Sequence, residues 1–162
     1  MPAAWGLVAA VLVFAADQAS KLWVLAAQSG LPVEIAPFFN IVLVWNRGVS
    51  FGMFGSVGPL VLAALAGAVA LVLIVWMLRS PRRFEALALG AVAGGAAGNI
   101  LDRLLRGAVV DFLDFHIAGW HWYAFNLADS AITVGIAMLL FDAVFMSRRR
   151  TGGTGGGKER SA

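Results

Sequence analysis

Two aspartates stand out in this apolar chain because their types and surroundings could support acid–base chemistry. Asp111 lies in VVDFLDF and Asp129 in AFNLADSAI, on either side of a short connector. An apolar frame raises the pKa of a carboxyl by desolvation, whereas the first turn of a helix favours its ionised form. Two carboxyls tuned apart in this way let one act as a base while the other stays protonated. Brought together, they predict hydrolysis of a peptide bond by an activated water.

Each aspartate also has a simpler interpretation. Asp111, and Asp114 three residues later, could be solvated loop acids, and Asp129 could belong to the first turn of a helix that Asn126 caps. A charge at a membrane is nevertheless costly unless it is paired or used. Two such acids therefore favour the catalytic interpretation, with Asp129 expected to be the base and Asp111 the acid.

Other reactive groups are scarce in the sequence. There is no cysteine, which excludes a thiolate nucleophile and a cysteine zinc site. His116 and His121 are too few for most metal sites and are expected to be interfacial loop residues. Ser50 and Ser130 lack a GxSxG motif and a partnering histidine. HExxH, phosphate-loop and dinucleotide motifs are missing too, so we expect neither a metal nor another cofactor.

The composition indicates a membrane protein. The chain has 162 residues, 60% hydrophobic and 13% charged, whereas a soluble domain carries about 25% charged residues. Four segments reach the roughly 20 apolar residues that a span needs. They cover about 4–27, 58–78, 84–105 and 128–146. The first lacks a basic start and is interrupted by Asp17 and Lys21, so we expect a retained span rather than a cleaved signal peptide.

Basic clusters predict the orientation. Residues 79–83 and 148–150 carry arginines next to spans, and with four spans both lie on the side of the amino terminus. The positive-inside rule makes that side cytoplasmic, so both termini are expected there. Because the rule accounts for the basic clusters, the net charge of +3 does not indicate nucleic-acid binding. Residues 1–150 are expected to form one domain, and residues 151–162 a disordered, Gly-rich cytoplasmic tail.

The connectors that face outward must position the two acids. Residues 39–46 alternate in the period-two pattern of a short strand or hairpin, and Trp120, Trp122 and Tyr123 are typical of an interfacial aromatic belt. The predicted fold is therefore an all-α membrane protein, a four-helix bundle with a small extracytoplasmic β element between helices 1 and 2.

Polar residues interrupt the first span. Asp17 and Lys21 are spaced i, i+4 and are interpreted as a structural ion pair. Asp142, deep in the fourth span, is interpreted as an interfacial or structural acid.

The third span carries a polar face and a small-residue pattern. Gly94 and Gly98 allow close helix packing. Asn99 and Asp102 share a face with Arg106, so Asp102 is expected to pair with Arg106 or with its neighbour Arg103. This network either holds the helices together or positions the catalytic carboxylates and the substrate backbone, and the residues alone leave both open.

Five blocks of residues resemble the lipoprotein signal peptidases (signal peptidase II) of bacteria. They are Asp17-x-x-x-Lys21; Asn46-Arg-Gly48-Val-Ser-Phe51-Gly52; Gly94-Gly95-x-x-Gly98-Asn99-x-x-Asp102-Arg103; Val110-Asp111-Phe112; and Phe125-Asn126-x-Ala128-Asp129-x-x-Ile132-x-x-Gly135. Any one block is weak, but all five in order on a four-span chain are specific. Where this chain has Tyr123, the family often has proline, and no catalytic group is lost by the difference.

The resemblance implies a membrane aspartyl endopeptidase whose catalytic residues are Asp111 and Asp129. It implies site-supporting or substrate-holding roles for Asn46, Gly48, Asn99, Asp102, Arg103 and Asn126. The implied substrate is a prolipoprotein cut on the amino side of its diacylglyceryl-modified lipobox cysteine, at the outer face of the bacterial cytoplasmic (inner) membrane. Membrane lipids and globomycin-type inhibitors are the implied partners, and a monomer is expected.

Two rival functions remain at this point. A small transporter or channel subunit would also use intramembrane charges, but transporters of that type usually show an internal repeat, and spans one and two do not resemble spans three and four. An inactive scaffold of the same fold is disfavoured because both Asp111 and Asp129 are present.

Overall fold

The structure, a computed structural model, describes residues 1–48 and 58–146. Its helices are α1 (Pro2–Ala26), α2 (Pro59–Arg79), α3 (Arg83–Arg106) and α4 (Leu127–Phe141), and α4 continues as a π-helical turn over Asp142–Met146. The four helices are long and apolar enough to cross a membrane, which confirms the four predicted apolar helices. Ser50, the arginines at 148–150 and the Gly-rich tail lie outside the described residues.

Helix α3 lies at the centre of the bundle and packs against the other three helices. In its most apolar window 61% of the residues are buried, against 17% in each of the others. Small residues allow this, because a Cβ atom added to Gly90 would collide with the backbone of Gly6, and one added to Gly94 with the backbone of Ala10. A Cβ at Gly98 would collide with the carboxylate of Asp17. The predicted small-residue packing of the third span is therefore confirmed.

Both longer connectors contribute to one antiparallel sheet. Its strands are β1 (Val33–Ala36), β2 (Phe39–Asn46), β3 (Val109–Ile117) and β4 (Trp120–His121), in the spatial order β1-β2-β3-β4. The predicted β element between the first two helices is confirmed, but it is only half of the sheet, since β3 and β4 come from the connector between α3 and α4. Pairing with β2 satisfies the backbone hydrogen-bonding groups of β3. Because the two strands are far apart in the sequence, this pairing leaves little local signal by which it could be predicted.

The sheet lies at the end of the bundle where α1 and α3 end and α2 and α4 begin, here called the sheet end. Gly107 ends α3 in the left-handed conformation, with φ 69°, and turns the chain into β3. Val24 of α1 packs with Val110 and Phe112 of β3 in a buried apolar cluster. This cluster fixes β3 against the bundle, and thereby places the residue between its two β3 members, Asp111, at the helix ends.

Candidate active site

Asp111 is held inside the sheet end by two amide donors. It lies on β3 opposite Val44 of β2, and only 1% of its surface is exposed. Asn46 Nδ2 donates to its Oδ2 at 2.9 Å, and Asn126 Nδ2 donates to its Oδ1 at 2.7 Å. Burial raises the pKa of Asp111, the nearby negative charge of Asp129 also raises it and the two amide donors lower it, so that the pKa is about 6.

Asp129 lies in the first turn of α4 and completes its cap. Asn126 Oδ1 accepts from the backbone N–H of Asp129 at 3.0 Å, and Asp129 Oδ2 accepts from the backbone N–H of Asn126 at 3.2 Å. This capping box confirms the predicted helix start at Asn126. The other oxygen, Oδ1, accepts from Asn99 Nδ2 at 2.8 Å. Both carboxylate oxygens of the half-buried Asp129 are thus fixed, one by α3 and one by the turn before α4.

Asn126 connects the two aspartates directly. Its side-chain Nδ2 donates to Asp111 and its backbone N–H donates to Asp129. The residue is fully buried, and its Nδ2 also lies 3.2 Å from Asn99 Oδ1 and 3.3 Å from the carbonyl oxygen of Val110. One buried asparagine therefore sets the relative placement of both carboxylates, which come from β3 and from α4.

A buried ion network lies behind this pair. Lys21 Nζ contacts Asp17 Oδ2 at 2.8 Å and Asp102 Oδ2 at 2.9 Å, and all three residues have 0% exposure. The predicted Asp17–Lys21 pair is therefore present, and it extends from α1 to α3. Of the two predicted partners of Asp102, the structure shows Arg106, whose Nη1 lies 2.6 Å from Oδ1. Sequence reasoning missed the contact between Lys21 and Asp102, because the two residues lie on different helices.

The two remaining predicted site residues lie near the pair in different ways. Gly48 donates its backbone N–H to Asn46 Oδ1 at 2.8 Å, in a positive-φ conformation of 80°, and so orients the amide that binds Asp111. Arg103 Nη1 donates to the carbonyl oxygen of Asn99 at 3.3 Å. Its Nε is buried and has no hydrogen-bond partner among the described residues.

A pocket opens beside Asp111. It has a volume of about 480 Å³. Its lining residues are Val44, Trp45, Asn46, Arg47, Asp111, Tyr123 and Ala124. This volume lies within the range of ligand pockets, and the carboxylate in its lining is the buried one of Asp111, whose pKa is raised.

The two histidines and Asp114 lie apart from the pair of Asp111 and Asp129. His116 and His121, expected to be loop residues, instead face each other across β3 and β4 with ring centroids 4.7 Å apart. His121 Nδ1 lies 2.9 Å from Asp114 Oδ2; burial raises the pKa of Asp114, but the hydrogen bonds from His121 and Asn40 outweigh it and lower the pKa. Within residues 1–48 and 58–146, no three His, Asp or Glu side chains are grouped to hold a metal ion.

Asp142 lies at the opposite end of the bundle. Arg82, which precedes α3, reaches both Asp142 in the π-helical turn after α4 and Glu85 of α3. The ion pair with Asp142 raises the pKa of Arg82. The placement agrees with the interpretation of Asp142 as a structural acid.

Four helices able to cross a membrane, with two carboxylates joined through Asn126 at one end, are the features expected of a membrane-embedded hydrolase. A family model described as Signal peptidase (SPase) II matches residues 9–145. The chain is 49% identical over 150 residues to the lipoprotein signal peptidase of Nitrobacter hamburgensis, covering 85% of this chain and 90% of that protein. It is 40% identical over 168 residues to that of Methylocella silvestris, covering 99% and 98%. The chain therefore belongs to the signal peptidase II family, and it is a multi-pass membrane peptidase.

Two solved structures have a similar fold. Both are bacterial membrane enzymes determined by the in meso method, one at 2.3 Å and one at 1.9 Å resolution. The first has a TM-score of 0.74 and 26% identity, covering 96% of this chain and 94% of that one. The second has a TM-score of 0.76 and 28% identity, covering 86% and 92%.

Proposed function

We propose that this chain removes the signal peptide from diacylglyceryl-modified prolipoproteins, cutting on the amino side of the lipid-modified cysteine with a water activated by Asp111 and Asp129. Membership of the signal peptidase II family supports the substrate class. The observation that carries the mechanism is the connection of both carboxylates through Asn126, with only one of them almost completely buried.

The proposed reaction divides the work between an acid and a base. Asp129, in the half-exposed first turn of α4, takes a proton from a water held between the carboxyls, and the hydroxide attacks the scissile carbonyl carbon. Asp111, whose pKa is raised to about 6, donates its proton to the forming oxyanion. When the carbon–nitrogen bond breaks, the proton held by Asp129 goes to the leaving amine, and Asp111 recovers its own from the collapsing intermediate.

The pocket beside Asp111 provides the route for the peptide. A backbone entering along β2, past Trp45 and Arg47, would bring its carbonyl to the carboxylate of Asp111, which lines the same pocket. Arg103 supports the site from α3, where its Nη1 donates to the carbonyl oxygen of Asn99. In this proposal the sheet end faces outward from the bacterial cytoplasmic membrane, both termini are cytoplasmic, residues 1–150 form one domain and the enzyme is a monomer.

The rival functions fit these contacts less well. An ion or substrate path through a transporter would place its polar residues near the middle of the bilayer. Here the linked polar groups from Asn99 to Asp129 lie at the sheet end, where α3 ends and α4 begins. A scaffold without activity would have no need to hold two carboxylates on one asparagine.

A matched pair of lipobox peptides tests the proposed substrate. One carries diacylglyceryl on the lipobox cysteine, the other carries a short alkyl cap on the same sulfur, and both are incubated with the purified protein in detergent. We expect only the first to be cut, to give a product that begins at the modified cysteine by mass spectrometry, and globomycin to inhibit the cleavage. Equal cleavage of both peptides, or cleavage at another bond, would overturn the assignment.

A further inference from the structure

The ammonium group of Lys21 makes one contact more than an ion pair with Asp17 and Asp102 requires. The side chain is fully buried, and its Nζ has three partners: Asp17 Oδ2, Asp102 Oδ2 and, at 2.9 Å, Asn99 Oδ1. An ammonium has three hydrogens, so each has an acceptor. The two carboxylates alone would join α1 to α3, and the third contact reaches the residue that binds Asp129.

The contact with Asn99 fixes which way its amide points. Lys21 can only donate, so the amide oxygen of Asn99 must face it, and the NH₂ group must then face the other way. That NH₂ group donates to Asp129 Oδ1 at 2.8 Å. A flipped amide would place NH₂ against the ammonium and an oxygen against the carboxylate, and both contacts would be repulsive.

Asn126 also donates to the same oxygen of Asn99, but it is the weaker constraint. Its Nδ2 lies 3.2 Å from Asn99 Oδ1, and it has a closer acceptor in Asp111 at 2.7 Å. The lysine contact is shorter, and its donor is charged, which makes the hydrogen bond roughly twice as strong as a neutral one.

We infer that Lys21 is a positioning residue for the peptidase reaction: it orients the amide of Asn99 so that a donor, and not an acceptor, faces Asp129. This inference rests on the proposed role of Asp129 as a catalytic carboxylate. Asp17 completes the arrangement, because its second oxygen, Oδ1, accepts from the backbone N–H of Ala128 at 3.0 Å and holds the first turn of α4 in place.

A double-mutant cycle between Lys21 and Asn99 tests the inference. Lys21→Met would leave buried carboxylates unbalanced, so the cycle is run in the Asp17→Asn protein, where Asp102 keeps Arg106 as its partner and the introduced amide oxygen can still accept from Ala128. We expect Lys21→Met in this background to lower kcat by about 10- to 100-fold, the value of one hydrogen bond to a charged group, with KM changed less than about twofold. With Asn99→Ala already present, the same change should cost less than about threefold.

A structural role would give a different pattern. If Lys21 only joined the helices, its replacement would cost the same factor in kcat with or without Asn99, and that additive result would overturn the inference. Arg82→Met is the matched control, because it removes another interhelical cation at the end of the bundle opposite to Asp111 and Asp129. It should lower the unfolding temperature while kcat is unchanged. Full activity of Asp129→Asn would overturn the proposed function and this inference together, whereas additive losses with an inactive Asp129→Asn protein overturn this inference alone.

Discussion

Replacing Asn46 by alanine should move the pH dependence of cleavage in a defined direction. Asn46 Nδ2 donates to Asp111 Oδ2 at 2.9 Å, and this hydrogen bond favours the ionised carboxylate. Its loss should raise the pKa of Asp111 above the value of about 6. A hydrogen bond to a charged group contributes about 1.5–3 kcal/mol, and because Asn46 is only half-buried we take the lower end, which corresponds to about one pH unit.

The assay is the pH profile of kcat/KM with the lipidated peptide. A proton donor is active only below its pKa, so activity in the wild type should decline as the pH rises through about 6, the pKa of Asp111. In Asn46→Ala this basic limb should lie about one unit higher. The same substitution removes the contact between Asn46 and Gly48. That loss should change the maximum value of kcat/KM but not the pH at which kcat/KM declines.

Asn40→Ala is the matched control for this prediction. Asn40 lies on the same strand and donates the same kind of hydrogen bond, at 3.2 Å, to Asp114 instead of Asp111. Its removal should leave the basic limb in place. A limb that stays in place in Asn46→Ala, or moves to lower pH, would refute the assignment of Asp111 as the proton donor.

Two further predictions concern the packing of the bundle. Gly94→Ala should markedly lower the unfolding temperature in detergent, because its Cβ would collide with the backbone of α1. Gly67→Ala, which has open space around it, should be neutral or stabilise the protein by up to about 1 kcal/mol. Equal effects of the two substitutions would contradict the close α1–α3 contact. Arg82→Met should destabilise the protein by about 1–3 kcal/mol in denaturant titrations. This is less than for a fully buried ion pair, because the Arg82 side chain is 36% exposed. An unchanged denaturation midpoint would show that its contact with Asp142 contributes nothing to stability.

The sequence predicted the features that rest on local spacing. Runs of apolar residues predicted the four helices, and the spacing of Asn126 and Asp129 predicted the helix cap that the structure shows. The small residues around Gly94 predicted the close helix contact. Each of these signals lies within one segment of chain, where period, length and capping chemistry act directly.

Contacts between distant segments could not be predicted in the same way. Lys21 and Asn99 are separated by 78 residues, and the pairing of β2 with β3 joins connectors on either side of two helices. A single sequence carries no periodicity for such pairs, so β3 read only as an extended or turn segment. The stacking of His116 on His121 follows from the same unpredicted sheet.

The proposed mechanism depends most directly on the two carboxylates, and cleavage of the diacylglyceryl lipobox peptide by the Asp111→Asn and Asp129→Asn proteins tests their roles. Asp114→Asn is the matched control, because Asp114 is a buried acid on the same strand as Asp111. With folding verified for all three variants, we expect each of the first two to lose about 100- to 10,000-fold in kcat, the range for a general acid or base, while the control remains active. Near-wild-type cleavage by a folded Asp111→Asn or Asp129→Asn protein would contradict it.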